Sequence, residues 1–185
     1  LKVFSQGSVK NTGGELDMAI SGSGFFQVEG PNGQTYYTRD GNFRVNSDGE
    51  VVNSQGYRLY PPVSVPNDAV AVEVGSDGTV SAVSAEDRTQ TEIGTIQLAN
   101  FVNPAGLSSE GGNMYRETSA SGPPETGVPG QNGLGEIRQG YLEESNVDVV
   151  SELVDLISAQ RTYELNSKVV KAGDRVLQST NYLVG

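Results

Sequence analysis

The sequence predicts a mainly β protein, with an antiparallel, hairpin-rich β domain over residues 1–143 and a long carboxyl-terminal α-helix over residues 144–185. All eight prolines and 22 of the 24 glycines lie within residues 1–145, which is the composition of a turn-rich β domain. Beyond that point, apolar residues recur every seven positions, which is typical of a helix that packs against another helix.

Short runs of β-branched and aromatic residues alternate with turn signals along the β domain. Glycine-containing turns, such as Pro31-Asn32-Gly33 and Asp77-Gly78, separate these runs and favour hairpins. We expect eight or nine strands. The predicted strands are GFFQVE (24–29), QTYYTR (34–39), NFRVNS (42–47), EVVNS (50–54), YRLY (57–60), AVAVEV (69–74), TVSAV (79–83), the longer EIGTIQLANFV (92–102) and GLGEIRQGYL (133–142).

Residues 103–133 predict a long loop within the β domain. This segment contains four prolines and many glycines and serines, and residues of these types interrupt helices and strands. We expect the loop partly to wrap the domain and partly to contact a partner, with Met114 and Tyr115 as its anchors.

The helix is expected to begin at Ser145, which forms a capping-box-like pair with Asp148, or at the rival cap Asn146. The apolar row that predicts a helix–helix seam is Val149, Leu156, Tyr163, Val170, Leu177 and Val184, with Leu153, Val150 and Ile157 widening its first half. After Gln160 the flanking residues turn polar. The chain contains no second long helical pattern, so the partner of the seam must come from elsewhere.

Composition excludes most enzyme chemistry. Histidine and cysteine are both absent, which removes imidazole and thiol nucleophiles, disulfides and the commonest zinc and haem ligands. The formal charge of −11 repels phosphate backbones. We therefore expect no catalytic residue, no cofactor, no metal site and no nucleic-acid partner.

The chain has no apolar run of 18 residues and its amino end lacks the features of a cleavable secretory signal, so we do not expect membrane insertion. Because it begins with Leu1, we expect that an upstream segment has been removed.

Three weaker signals have simpler interpretations. Asn46 to Gly49 resembles part of an EF-hand calcium loop. With Gly49 at the sixth position of such a loop, however, Arg44 and Gln55 occupy the first and twelfth positions, which require carboxylates. The Gly22-Ser23-Gly24 run precedes a strand, which argues against a dinucleotide site. Asp40 and Asp48 allow one enzymatic alternative, a periplasmic glycan-cleaving enzyme, although both residues adjoin turn glycines.

Several stretches together resemble the bacterial flagellar axial proteins, and among them the basal-body rod proteins, in particular those of the distal rod. The stretches are DMAISGSGFFQV (17–28), YTRDGNFRVNSDGEVVNSQGYRL (37–59), the NPAGL to NMYRET region (103–118), QGYLEESNVDVVSELVDLISAQRTYELNSK (139–168) and the rest of the helix. Their combination is far more specific than any single glycine-rich signature.

The resemblance implies a structural subunit without catalysis, which assembles into a helical homopolymer. Such a subunit is exported by the flagellar secretion apparatus without a cleavable signal peptide and forms a rod across the periplasm. Its implied partners are other rod and hook proteins and basal-body ring proteins. In this family an amino-terminal helix pairs with the carboxyl-terminal one, which would account for the unpaired seam. Hook or proximal rod protein is the alternative within the family.

The resemblance also assigns residues. The expected assembly positions are the seam residues Val149, Leu153, Leu156, Tyr163, Val170 and Leu177, and the polar residues that match the family's helix signature, Gln160, Arg161, Glu164, Asn166 and Lys168. Arg39, Asp40 and Asn42 match the hairpin signature, which we interpret as fold-determining turn chemistry. The tail NYLVG extends past the expected end of the family helix.

Overall fold

A computed structural model describes residues 4–146 and 149–184, and the helical side chains of residues 153–173. The described part contains antiparallel β-structure followed by one α-helix, which confirms the predicted fold class. The chain divides into two compact units, Leu1–Asn146 and Val147–Gly185.

The first unit contains short strands and one 3-10 turn, Pro104–Gly106. The strands are β1 (Val9–Asn11), β2 (Met18–Ser21), β3 (Phe25–Glu29), β4 (Thr35–Thr38), β5 (Phe43–Val45), β6 (Val51–Asn53), β7 (Arg58–Tyr60), β8 (Ala69–Val74), β9 (Thr79–Ser84), β10 (Gln90–Thr95), β11 (Leu98–Asn100), β12 (Ser108–Gly111), β13 (Met114–Arg116), β14 (Glu125–Gly127), β15 (Glu136–Gln139) and β16 (Tyr141–Glu143). The second unit is the helix α1 (Val149–Val184).

The largest sheet has the order β12-β13-β4-β3-β7-β6-β5, and β11 joins it by pairing with both β3 and β14. The sheet is covered on both faces, as the neighbouring residues Phe25 and Phe26 show. Phe26 belongs to the main core with Met18 and Leu59, whereas Phe25 belongs to a smaller aromatic cluster with Phe101. Because side chains alternate between faces along a strand, two adjacent buried phenylalanines require apolar partners on both sides.

A three-stranded sheet, β10-β9-β8, adds Val72, Val74 and Val80 to the main core. The two outer strands of this sheet, β8 and β10, each depart from a regular open edge. At β8, the Gln139 amide accepts a hydrogen bond from the Val74 N–H at 3.0 Å and donates one to the Val72 carbonyl at 2.6 Å, in the place of a further strand. At β10, the pairing register shifts between Glu92 and Gly94, which is a β-bulge.

The described residues form 16 strands, more than the eight or nine expected, in part because two predicted strands are each divided. EIGTIQLANFV forms β10 and β11, which lie in different sheets, and the buried Ile96 between them donates its N–H to the Gly78 carbonyl. GLGEIRQGYL is divided by Gly140, whose φ of 77° ends β15 before β16 begins. In addition, β1 and β2 were not predicted.

The prediction that residues 103–133 form a loop without regular secondary structure was wrong. It contains the 3-10 turn and the strands β12, β13 and β14. Gly111, Gly112 and Asn113 all have positive φ, so the residues that indicated a loop instead form the tight turn of the β12–β13 hairpin. Met114 is buried in the main core, which makes β13 part of the large sheet.

The two candidate caps, Ser145 and Asn146, are not helical, and α1 is described from Val149 onwards. Asp148, the predicted capping partner, lies outside the described residues. The Asn146 side chain instead donates a hydrogen bond to the Ser5 hydroxyl at 2.7 Å.

The buried phenol of Tyr37 makes the stability of the β unit fall at alkaline pH. Burial, helped by the negative charge of Glu117, raises the pKa of Tyr37 from 10.0 to about 12. The folded state therefore favours the neutral phenol. The contribution of this phenol to the free energy of unfolding is fully present below pH 10 and is lost as the pH rises towards 12. A shift of this size corresponds to about 2–3 kcal/mol.

We expect Tyr37→Phe to reduce the fall in unfolding free energy between pH 8 and pH 12 by about 2 kcal/mol, because the variant has no phenol to ionise. Urea unfolding at the two pH values measures this difference. Tyr60→Phe is the control, since the Tyr60 side chain is 44% exposed, and it should retain the pH dependence of the wild type. An equal fall in the wild type and in Tyr37→Phe would contradict the assignment.

Candidate assembly surface

The helix α1 exposes a large amount of apolar surface. It contains 36 residues, and at about 1.5 Å per residue it extends for roughly 54 Å. Eight large apolar side chains in its described part are each 48–77% exposed: Leu153, Val154, Leu156, Ile157, Tyr163, Leu165, Val169 and Val170. An exposed apolar surface of this extent is typical of an interaction site.

Four of the predicted seam residues, Leu153, Leu156, Tyr163 and Val170, belong to this exposed set. The other two, Val149 and Leu177, are positions of α1 whose side chains lie outside the described residues.

A second apolar pair on α1 was missed by the sequence analysis. Leu165 and Val169 are four residues apart and therefore lie on one side of the helix. At about 100° per residue, Leu165 lies about 160° around the helix from Tyr163. A seven-residue repeat identifies one row of residues, and a pair on the opposite side of the helix is not part of that row. The middle of α1 thus offers apolar contacts on two sides.

The predicted polar assembly residues are also exposed. Within the described part of the chain, none of them forms a side-chain hydrogen bond or an ion pair, and this includes Glu164 and Lys168, which are four residues apart. These residues are Gln160, Arg161, Glu164, Asn166 and Lys168. Their hydrogen-bonding groups are therefore available to a partner.

The two ends of the first unit lie side by side. Strand β1 pairs with β16 in antiparallel register, from Val9 opposite Glu143 to Asn11 opposite Tyr141. The pairing extends past the strands, because the Glu144 N–H donates to the Ser8 carbonyl at 2.8 Å. The residues that precede α1 are thus fixed to the amino-terminal residues of the β unit.

An ion pair between Arg39 and Glu143 organises this region. Arg39 Nε and Nη2 both lie 2.8 Å from Glu143 Oε2, and the two side chains are only 15% and 10% exposed. The Arg39 guanidinium also donates to the carbonyls of Ile20, Gly22 and Gly24, at 3.3, 3.1 and 2.9 Å. The other oxygen of Glu143 accepts a hydrogen bond from the Gly7 N–H at 2.8 Å. One charge pair therefore joins four segments of the chain.

The hairpin signature that follows Arg39 has a structural role in the fold. Asp40 Oδ1 accepts a hydrogen bond from the Asn42 N–H at 3.1 Å, and Asn42 Nδ2 donates to Asp17 Oδ1 at 2.9 Å. A side chain at Gly41 would overlap the Met18 carbonyl, so the close contact with β2 requires glycine. The sequence analysis assigned turn chemistry to these residues but did not predict the contact between Arg39 and Glu143.

Two further observations concern chemistry and membranes. Among residues 4–146 and 149–184, no group of three or more acidic side chains is arranged to hold a metal ion. In the same part of the chain, α1 is not apolar enough to cross a membrane.

Comparison with known proteins gives consistent matches along the chain. Residues 19–82 match the family described as the flagellar hook protein FlgE/F/G D1 domain. Residues 138–183 match the flagellar basal body rod FlgEFG protein C-terminal family. The second match includes most of α1 and the Glu143 end of the ion pair.

Two rod proteins are similar to nearly the whole chain. The flagellar basal-body rod protein FlgG of Buchnera aphidicola (subsp. Schizaphis graminum) is 45% identical over 98% of this chain and 70% of its own length. The FlgG protein of Borreliella burgdorferi is 40% identical over 98% of this chain and 69% of its own length. By contrast, the flagellar hook protein FlgE of Salmonella typhimurium is 39% identical over only 69% of this chain and 30% of its own length.

We expect Arg39→Gln to lower the free energy of unfolding of the β unit by about 3 kcal/mol, because the Glu143 carboxylate would remain buried without its countercharge. Urea denaturation monitored by tyrosine fluorescence measures this loss. Arg58→Gln is a matched control, since Arg58 pairs with Glu29 and Glu50 but is 47% exposed. Its loss should be less than about 1 kcal/mol.

A second variant isolates the buried charge as the cause. Arg39→Gln combined with Glu143→Gln should recover part of the loss, because no charge then remains unpaired. If Arg39→Gln were no more destabilising than Arg58→Gln, the ion pair would not organise the unit.

Proposed function

The chain belongs to the flagellar basal-body rod protein family, and we propose that it is a structural subunit of the distal rod that polymerises into a helical shaft. The exposed apolar surface of α1 is the observation that carries the proposal. A single copy leaves this surface in water, whereas packing against neighbouring copies would bury it. The mechanism is therefore mechanical, and torque passes to the hook through many repeated contacts.

The physical basis of assembly is the burial of the seam residues. Burying one large apolar side chain contributes about 1.5–3 kcal/mol, and the described part of α1 exposes four from the predicted seam. Ordering the subunits and their side chains opposes this gain. A subunit held by several neighbours nevertheless binds tightly, because each further contact forms at a high effective concentration.

The remaining parts of the proposal concern location and partners. Membership of the rod family favours contacts with other rod proteins and with the hook, and with ring proteins where these surround the rod. We infer a position in the basal body across the periplasm and export through the flagellar secretion apparatus. The charge of −11 keeps separate subunits soluble before they assemble. No catalytic role is proposed.

Electron microscopy of basal bodies from a strain that lacks the full-length gene tests the position of the subunit. Rods that stop short and carry no hook are expected for a distal rod protein. Complete rods that lack only hooks would assign the protein to the hook, and intact flagella would refute an axial role.

We expect Leu156→Asp combined with Tyr163→Asp to block assembly and leave the β unit folded, because two charges would have to be buried in the seam. Complementation of the deletion strain measures assembly as motility and rod length, and circular dichroism of the purified variant measures folding. Val70→Asp combined with Val102→Asp is the control, since both side chains are exposed and apolar but lie in the β unit. Motile cells with the helix variant, or an unfolded β unit, would contradict this prediction.

A further inference from the structure

A cleft with a volume of about 460 Å³ lies in the β unit where three turns meet. It is formed by the turns that connect β3 to β4, β5 to β6 and β6 to β7. The lining combines an aromatic ring, two carboxylates, a guanidinium and two amides, which belong to Tyr57, Glu29, Glu50, Arg58, Asn46 and Gln55. Its volume is within the usual range of ligand sites, about 300–1,000 Å³.

Two of the three turns are built alike, because their sequences repeat after seven residues. Asn46-Ser47-Asp48-Gly49-Glu50 is followed by Asn53-Ser54-Gln55-Gly56-Tyr57. In each turn, the oxygen of the asparagine side chain accepts hydrogen bonds from the N–H groups two and four residues later, at 2.9 to 3.0 Å. The two turns therefore hold Glu50 and Tyr57 at equivalent positions beside the cleft.

The third turn fixes the aromatic wall of the cleft. A side chain at Gly30 would come within 2.8 Å of the Tyr36 ring and 3.5 Å of the Tyr57 ring, so the turn approaches both rings closely because residue 30 is glycine. The centroids of the two rings are 5.6 Å apart, and both rings pack against the main core. Tyr57 is thus a rigid surface against which a ligand can pack.

Ion pairs hold the charged groups of the cleft in place. Arg58 Nη1 donates to Glu50 Oε1 at 3.1 Å, and Arg58 Nη2 donates to Glu29 Oε2 at 3.4 Å. These contacts use two of the five N–H groups of Arg58, whose side chain is 47% exposed. Glu29 Oε1 accepts no hydrogen bond from any residue that the structure describes. Both side chains can therefore bond to a ligand without leaving their present positions.

The chemistry of the cleft favours a neutral ligand that is rich in hydroxyl groups. Two carboxylates and one guanidinium give a net charge of −1, which disfavours an anion such as phosphate. A metal ion would have to displace Arg58 from both carboxylates. Sugar hydroxyls can donate to a carboxylate and accept from a guanidinium, and the C–H face of a sugar ring fits the electron-rich face of an aromatic ring.

We propose that this cleft binds a neutral, N-acetylated glycan strand, with one sugar ring against Tyr57 and its hydroxyls hydrogen-bonded to Glu29 and Arg58. The choice of N-acetylated sugars rests on the proposed function, because a rod subunit in the periplasm is surrounded by the glycan strands of the cell wall. The turns and the ion pairs are already formed, so little ordering of the protein opposes binding.

The electrostatics of the cleft indicate binding without cleavage of the glycan. Hydrogen bonds from Arg58 and Asn46 lower the pKa of Glu50. Glycosidases usually require a carboxylic acid that stays protonated near neutral pH, which needs a raised pKa. Glu50 therefore remains a carboxylate that holds Arg58 in position.

Nuclear magnetic resonance of the isotope-labelled full chain, titrated with N,N′,N″-triacetylchitotriose, tests the proposal. We expect saturable shifts of the backbone amide signals in residues 29–33, 46–50 and 55–58, with a Kd of about 1 mM or below. Shifts that centre elsewhere, or the absence of saturable shifts up to about 10 mM trisaccharide, would overturn the proposal.

Paired variants assign the binding to the cleft. Tyr57→Leu and Arg58→Gln should each weaken trisaccharide binding about tenfold. Tyr60→Leu and Arg116→Gln are the controls and should bind as the wild type does, since Tyr60 is exposed, Arg116 forms a similar exposed ion pair with Glu110, and neither lines the cleft. Arg58→Gln decides the outcome if Tyr57→Leu fails to fold. Unchanged affinity in Arg58→Gln, or an equal loss in Arg116→Gln, would overturn the site.

The failure of this inference differs from the failure of the proposed function. If the trisaccharide does not bind and the deletion strain has short rods without hooks, only the glycan site is refuted. Normal rods in the deletion strain would refute the proposed function, whereas the titration of the purified chain still measures the cleft itself.

Discussion

The β unit depends on one largely buried charge pair, Arg39 with Glu143. Removing two charges from water is costly, and the pair is tolerated because backbone groups satisfy most of its remaining hydrogen-bonding capacity. Those backbone groups belong to Gly7 and to the segment between β2 and β3, so the electrostatic requirement of one side chain fixes the course of several chain segments. The pair also explains how β16, at the end of the unit, is held to strands that lie more than a hundred residues earlier in the sequence.

The two units of the chain reach stability in different ways. The β unit buries its apolar side chains in two internal clusters and leaves no buried polar side-chain atom without a hydrogen-bond partner among the described residues. The described part of α1 buries none of its large apolar side chains and pairs none of its charges. Because an isolated helix is only marginally stable in water, α1 would gain stability from any partner that buries these side chains.

Local signals in the sequence predicted most of the elements but few of the contacts between them. The hairpins around Asp48-Gly49 and Asp77-Gly78 were predictable because their turns require glycine at positive φ. The interruption at Ile96 was not, because an apolar residue between two strands has the same pattern as a residue within one strand. The contact of Arg39 with Glu143 spans 104 residues and has no local signature. The pair Leu165 and Val169 was missed because only one helical repeat was sought.

The modified edges of the three-stranded sheet determine which contacts between copies are permitted. An open strand edge can add a strand from any neighbouring molecule, and crowded copies of one protein are therefore prone to aggregate through their sheets. Here the Gln139 amide occupies the Val74 N–H and the Val72 carbonyl of β8, and the bulge between Glu92 and Gly94 breaks the regular spacing of β10. Both edges of this sheet are thus poor templates for a foreign strand, so that copies of the protein at high local concentration are protected from aggregation through this sheet.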